Sequence, residues 1–404
     1  VEITKQKKTY LEGIAIDIKK ASPDRVEPKE AHYLSSSPWQ IISWEKELEW
    51  KKKMAEETYH DIGKFDLPNE LELVADQNRQ FGYRNKMEYS FTEDDNGEIS
   101  LAFFKRGHKQ KIPIKHSQLA HPWLNSTAQQ ILDWINKTDM TTRNLKSLII
   151  RSNEKKETIA GLFIKDELFF QDYPELNEKL KELQLYYSTH KSPASVPTKL
   201  IYSEGQDNLK ESITPPNHQT AKGQQQKASL NLSYGLFSFF QVNVPLFETV
   251  LTDMLPYLDR DIEVVDFYSG VGAIGLSLAD HFKIGTLVDN VDEAIEFAVQ
   301  NIEENNVTNC QAFASPAEKM TELITSDKTI IFDPPRAGLH KNVVRKVLEE
   351  KPPTILYLSC NLSTQARDIE MLKDVYQPTF VKLYNFFPRT PHIEGLVVIV
   401  KRKD

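Results

Sequence analysis

A chain of 404 residues, 40% apolar and 27% charged, is long enough for two or three domains and for a sizeable core. Its net charge of −8 excludes a surface that coats nucleic acid on every side, while leaving room for a basic footprint on one face. Two cysteines exclude a disulfide framework and a four-thiolate metal site, and no apolar run approaches the ~20 residues of a membrane helix. A reducing, cytoplasmic home is expected. The charged start "VEITKQKKTYLEG" lacks a signal peptide's apolar stretch, and it opens without Met, so an upstream segment is expected.

In chain order, "TYLEGIAIDIKK" reads as a short β-rich piece ending at "SPDRVEP", too small to bury a core alone. The run from Trp44 to about Gly63 is a charged helix with apolar residues at Trp44, Leu48, Met54 and Tyr59. Two alternating runs then meet at Asn96-Gly97, a hairpin signal. Helices are predicted over 122–137 and 173–184, and strands over 145–152, 158–165 and 198–203. Together, residues 77–230 read as an α+β module. Within it, "FFKRGHKQKI" places Phe103 and Phe104 ahead of Lys105 and Arg106, a pairing of stacking faces with cations that suits nucleic acid; solvated surface charge is the alternative. The polar stretch "ESITPPNHQTAKGQQQKASLNLS" is predicted to be an exposed loop before a strand.

From residue 262 the rhythm alternates short β-branched strands with helices, which points to a Rossmann-like α/β fold with a mostly parallel sheet covered on both faces. Ligands of such folds sit beyond the carboxyl ends of the strands. There the first strand opens into "DFYSGVGAIGLSLA", with Gly270, Gly272 and Gly275 in G-x-G-x-x-G spacing and Asp289 closing the second strand. A tight strand-to-helix turn would use the same glycines. Asp266 suits a cationic methionine amine better than a diphosphate. The fourth strand ends in "IIFDPPRAGL", where two prolines stop the strand and leave a stiff loop presenting Asp333 and Arg336. The fifth, "TILYLSCN", carries Cys360 at its exit, next to a helix N-terminus that favours thiolate. Cys310 fits a small buried hydrophobe. Glu394 lies just ahead of the last apolar run, where burial can raise a carboxyl toward neutrality. Gln241 and Asn243 interrupt an aromatic run, and buried amides there are expected to have partners.

These motifs, "FFQVN", "DFYSGVG", "VDN", "DPPRAG", "LSCN" and "HIEG", in this order over residues 230–404, resemble the RNA uracil-5-methyltransferase family, which makes 5-methyluridine in transfer RNA and 23S ribosomal RNA. Weaker similarity extends through "RNKMEYSF", and "SPDRVEP" follows a small nucleic-acid-binding β-barrel in relatives. The resemblance implies four regions: a barrel remnant over 1–30, a linker and helix over 31–76, a central RNA-binding domain over 77–230 and a methyltransferase domain over 231–404, whose mostly parallel sheet has an antiparallel last strand. It implies Cys360 as nucleophile, Glu394 as base, and S-adenosylmethionine held by Gln241, Tyr268, Gly270, Gly272, Asp289 and Asp333, with Asp333 also counted in the catalytic group. RNA contacts are expected from Phe103, Phe104, Lys105, Arg106 and Arg336. Many relatives hold an iron–sulfur cluster on cysteines shortly before the first long helix. This chain reads "EAHYLSSSPWQ" there, and serine does not replace thiolate on iron, so no cluster is expected. The chain also departs from the pattern at Ser269, Ala273 and Leu362. It is expected to act as a monomer. A cytosine-5 methyltransferase, an NAD-dependent oxidoreductase and a non-catalytic RNA-binding protein are the alternative readings.

Overall fold

The computed structural model describes residues 1–8, 10–216 and 229–403. Much of the predicted polar loop, residues 217–228, lies outside the described residues; its flanks form the antiparallel strands Leu209–Ile213 and Leu230–Tyr234. The chain divides into two compact units. One comprises residues 1–47, 79–207 and 389–391; the other comprises 48–78, 208–388 and 392–404. Residues 208–216, 229 and 230, read in the sequence as part of the central module, therefore cluster with the second unit. So does most of the helix Trp44–Asp61.

The first unit holds a seven-stranded sheet. Its spatial order is Lys199–Gly205, Leu180–Tyr187, Thr158–Ile164, Leu145–Ser152, Lys86–Glu93, Ile99–Phe104 and Lys111–Ile114. Every neighbour pair is antiparallel except Thr158–Ile164 with Leu180–Tyr187. The predicted hairpin at Gly97 is present, its tip permitted by a φ of +80°. Helix Pro122–Ile135 buries Leu124, Ala128, Ile131 and Ile135 in the same apolar cluster as the sheet, as their i, i+3/i+4 spacing requires. The helix expected over 173–184 does not form. Asn177 folds its side chain onto the amides of Lys179 and Leu180, a local turn, and the run that follows, despite the helix formers Lys181, Glu182 and Gln184, is drawn into the sheet as Leu180–Tyr187.

The second unit is an eight-stranded sheet. Its order is Cys310–Ala314, Gly285–Asp289, Glu263–Phe267, Lys328–Phe332, Thr354–Ser359, Glu394–Lys401, Tyr376–Tyr384 and Glu72–Val74. Only Glu394–Lys401 runs against its neighbours. Successive residues of a strand face opposite sides, so the full burial of Ile330, Ile331 and Phe332, and of Leu356, Tyr357 and Leu358, means both sheet faces are covered. The three-residue edge strand Glu72–Val74 escapes sequence reading. It pairs parallel to Tyr376–Tyr384, and Asn69 extends that edge by accepting from the Val381 amide and donating to its carbonyl, 3.0 and 2.9 Å. Among the described residues no helix is long and apolar enough to cross a membrane.

Candidate active site

At the carboxyl edge of the second unit's sheet, strand register brings together side chains that are far apart in sequence. Ser359 faces Gly395 across the antiparallel pair Thr354–Ser359 and Glu394–Lys401. Cys360 and Glu394, one residue beyond each, therefore leave the sheet side by side. Asp333 emerges from the adjoining strand, its amide donating to the Phe267 carbonyl at 3.4 Å. Its Oδ2 accepts from Gln241 Nε2 at 3.2 Å. The four sequence-predicted residues Cys360, Glu394, Asp333 and Gln241 thus share one edge.

Asn361 ties the two loops. Its Oδ1 accepts from the Ser363 amide and caps helix Leu362–Leu372, while its Nδ2 donates to the Arg336 carbonyl at 2.9 Å. Thr364 Oγ1 reaches the same carbonyl at 3.2 Å. Asp368, fully buried, accepts from the Leu339 amide and the Tyr357 hydroxyl, both at 2.8 Å, and so fixes the far end of the proline loop. That loop turns at Gly338, φ +79°, where a Cβ would lie 2.5 Å from Asp368 Oδ2.

Sequence reasoning missed a second layer. Gln365, on the buried face of the same helix, donates to the carbonyls of Tyr357 and Gly395 at 2.7 and 2.9 Å and accepts from the Tyr59 hydroxyl at 2.7 Å. All three groups are buried, so the amide bridges the two strands that carry Cys360 and Glu394. Glutamine among apolar residues on one helical stripe was the available signal.

Electrostatically the edge is acidic. Burial, and then the Asp333 charge, holds the Glu394 carboxyl well above the usual carboxylate range, with Arg336 pulling the other way. Burial pushes Asp333 up to about 7; the Gln241 hydrogen bond opposes this and Asp289 adds to it. Cys360 departs from the thiolate expectation. Burial, Glu394 and Asp333 push the thiol up to about 11, and Arg336 offsets only part of this. Burial first, and then two carboxylates, work against the thiolate that the helix N-terminus favours. Arg336 is exposed and meets His392 Nε2 at 3.3 Å.

The glycine turn is built as its spacing demands. Tyr268, Gly270 and Gly272 all have positive φ, at 64, 55 and 86°. A Cβ on Gly275 would lie 2.3 Å from Leu287, so the third glycine serves close packing. Asp289 accepts from the amides of Gly270 and Val291, both at 2.9 Å, and each oxygen keeps a lone pair. Asp266 is fully buried, with Oδ2 on the Gly275 amide and Oδ1 unmet. Ser269 Oγ and both side-chain amide atoms of Asn243 are likewise buried without partners among the described residues, contrary to the expectation for Asn243. Buried polar atoms left unmet are costly, and a polar ligand that offers donors, such as an ammonium, to Asp266 and Asn243 Oδ1 and an acceptor to Asn243 Nδ2 would satisfy such a set. Cys310 sits half-buried on the outer strand, its thiol pushed up to about 12 by burial and then by Asp266, as expected of a packing cysteine.

The model of the tRNA (uracil-5-)-methyltransferase family matches residues 43–402. The chain belongs to this family. It is an RNA methyltransferase, as the names of its relatives agree. An uncharacterized RNA methyltransferase of Fusobacterium nucleatum is 27% identical over 427 residues, covering 100% of this chain and 88% of the relative. One from Caldanaerobacter subterraneus is 27% identical over 426 residues, covering 99% and 90%. Among solved structures, the Pyrococcus abyssi tRNA (uracil-54, C5)-methyltransferase in complex with S-adenosyl-L-homocysteine superposes with a TM-score of 0.74 at 23% identity, covering 98% of this chain and 91% of that one. This likeness establishes the shared fold of the family member.

In the first unit, the predicted RNA contacts separate. Phe103 is half-buried, stacked on Tyr89 with centroids 5.8 Å apart and edge-on to His32 at 5.5 Å, so its ring is spent on packing. Phe104, Lys105 and Arg106 are exposed.

Proposed function

We propose that this family member transfers a methyl group from S-adenosylmethionine to carbon 5 of a uridine in structured RNA through a covalent adduct on Cys360. The observation that carries the reading is the register that sets Cys360 beside Glu394, with Asp333 and Gln241 on the adjoining strand end. Gln241, Tyr268, Gly270, Gly272, Asp289 and Asp333 are assigned to the cofactor, which supplies an electrophilic methyl group when bound. The acidic edge and the unmet polar atoms of Asp266 and Asn243 support a cationic ligand there.

In this mechanism the Cys360 sulfur bonds to carbon 6 of the ring, and the ring's electron pair moves to make carbon 5 a nucleophile, which takes the methyl group. Glu394 then removes the proton from carbon 5, the 5,6 double bond re-forms and the carbon–sulfur bond breaks. General-base help of this kind contributes about 10²–10⁴-fold. The thiol's raised pKa means the nucleophile is protonated at rest, so a carboxylate of the site must receive its proton. The target base has to leave its stack to reach the thiol, and the extrusion costs a few kcal/mol. The unit containing residues 79–207 is assigned to gripping RNA, and Arg336 to contacts beside the target. The cycle needs no iron–sulfur cluster, and Cys310 and Cys360 alone are too few to hold one. A cytoplasmic monomer accords with the reading.

The test is trapping. RNA containing 5-fluorouridine, incubated with S-adenosylmethionine, should give a stable adduct on the Cys360 peptide, because fluorine cannot be abstracted as a proton. Cys360→Ala should abolish both adduct and methyl transfer. An adduct on another residue, or methylation by the variant, overturns the proposal; 5-methylcytidine as product moves the target to cytosine.

A further inference from the structure

We propose that the first unit carries a nucleotide subsite in which Lys111, Lys146 and Lys165 hold a backbone phosphate and Phe104 stacks the adjoining base of single-stranded RNA. The inference rests on the RNA-methylation reading and adds to it a place on the protein.

The observations lie on the sheet face around the end of the Ile99–Phe104 strand. Phe104, Lys111, Lys146 and Lys165 line a pocket of about 460 Å³. Phe104 pairs with Lys111 across the sheet, the Lys111 ammonium lies 5.6 Å from the ring centroid, and the ring is 53% exposed. The three ammonium groups meet neutral acceptors only. Lys111 donates to the Phe91 carbonyl at 2.9 Å and Lys165 to the Thr142 carbonyl at 3.5 Å. Lys146 donates to Ser188 Oγ and the carbonyls of Thr189 and Ser192, at 2.7, 2.8 and 3.0 Å. Among the described residues none of the three has an ion pair, although the chain as a whole is acidic. The carboxylate lining the pocket, Glu88, is exposed and accepts from Ser195 Oγ at 2.7 Å.

Three cations face one exposed carboxylate here and none is ion-paired with it, so Lys165 repels the other two. Burial and then the Lys165 charge depress both Lys111 and Lys146 below the usual lysine range. A bound anion removes that penalty. Lys111 and Lys165 each spend one ammonium proton on a carbonyl and keep others for a phosphate, whereas Lys146 spends all three on neutral oxygens and adds its charge; a pocket of this volume also has room for a base on the Phe104 face. An acidic peptide would answer the charge but leave the exposed ring unused. Lys105 and Arg106, at the adjoining turn, extend the positive track.

The experiment measures binding of a short uridine-rich single strand to the full chain between 50 and 200 mM salt. Lys165→Gln should weaken binding about 5–10-fold and flatten the log–log salt slope by about 0.7, the value for one phosphate contact on a single strand. Phe104→Ala should weaken it at least about 5-fold with the slope unchanged, since stacking releases no counterion. Lys155→Gln, an exposed lysine away from the pocket, is the control and should change neither. Thermal melting of each variant screens for misfolding, and protection of Lys165 from acetylation by RNA in the wild type gives a readout that needs no variant. Unchanged affinity in both pocket variants, while the wild type still methylates RNA, overturns the subsite and spares the RNA reading; a wild type that methylates no RNA overturns that reading itself. Protection of Lys165 by inorganic phosphate or polyglutamate at concentrations where RNA does not protect overturns the nucleotide assignment.

Discussion

Replacing Glu394 with Gln isolates the electrostatic part of the site from its chemistry. The Cys360 thiol stands at about 11 against an ordinary 9.0, which disfavours the thiolate by about 2.7 kcal/mol at 1.36 kcal/mol per pH unit. Burial contributes most, then Glu394, then Asp333, with Arg336 opposing. Because Glu394 is the larger of two secondary causes, its removal should lower the thiol midpoint by about 0.5–1 pH unit, or about 0.7–1.4 kcal/mol. The assay is the rate of iodoacetamide alkylation against pH, read by mass spectrometry on the Cys360 peptide, with Cys310 at about 12 as an internal reference. Alkylation does not require the proton-abstraction step, so the lost base does not confuse the result. A wild-type midpoint near 9, or a midpoint in Glu394→Gln equal to or above the wild type, would refute the reasoning.

Asp333→Asn should stabilise the fold while ending cofactor binding. The folded carboxyl stays protonated up to about 7 whereas the unfolded one ionises near 3.8, so wild-type stability is lost as pH rises through that window. The variant's advantage should grow from pH 4 to 7 and plateau at up to about 4 kcal/mol, measured by urea denaturation at pH 4.5 and 8; an advantage confined to acid pH contradicts it. Gln365→Leu strands the Tyr357 and Gly395 carbonyls and the Tyr59 hydroxyl. It should cost about 2–4 kcal/mol and lower kcat with little change in KM for the methyl donor, checked by denaturation and steady-state kinetics. Gly338→Ala forces a positive φ and a 2.5 Å approach to Asp368, and should cost about 1–3 kcal/mol, visible as a lower urea midpoint at unchanged slope.

The parallel sheet was legible because alternation of short β-branched strands with helices has few other solutions, and the antiparallel last strand came with the family resemblance. Gly270, Gly272 and Asp333 were legible for a local reason: each stands at a strand exit marked by glycines or prolines that permit nothing else. The neighbourhood of Cys360 and Glu394 was not readable from spacing, since it depends on a strand returning against the others in one particular register. The ionisation of Cys360 was misjudged for the same reason: the helix N-terminus is adjacent in sequence, but the burial of the thiol and then the opposing carboxylates arise only in the fold. The helix read over 173–184 failed where sheet pairing of Leu180–Tyr187 overrode a charged, helix-like pattern. The lysine pocket drew its members from Lys111, Lys146 and Lys165, three strands or strand exits whose neighbourhood only the fold reveals.

The edge strand Glu72–Val74 has a consequence for how this protein can be made. The ribosome releases residues 48–78 well before their docking surface on Tyr376–Tyr384 is made. Until then the early segment must wait unpaired, with Tyr59 and Leu71 lacking their final burial. A truncation that begins at residue 208 would leave the Tyr376–Tyr384 backbone open to pairing with other chains and strip Gln365 of its hydroxyl partner. The second unit is therefore built from two distant stretches of chain, and the stretch from residue 208 onward is not an excisable cassette.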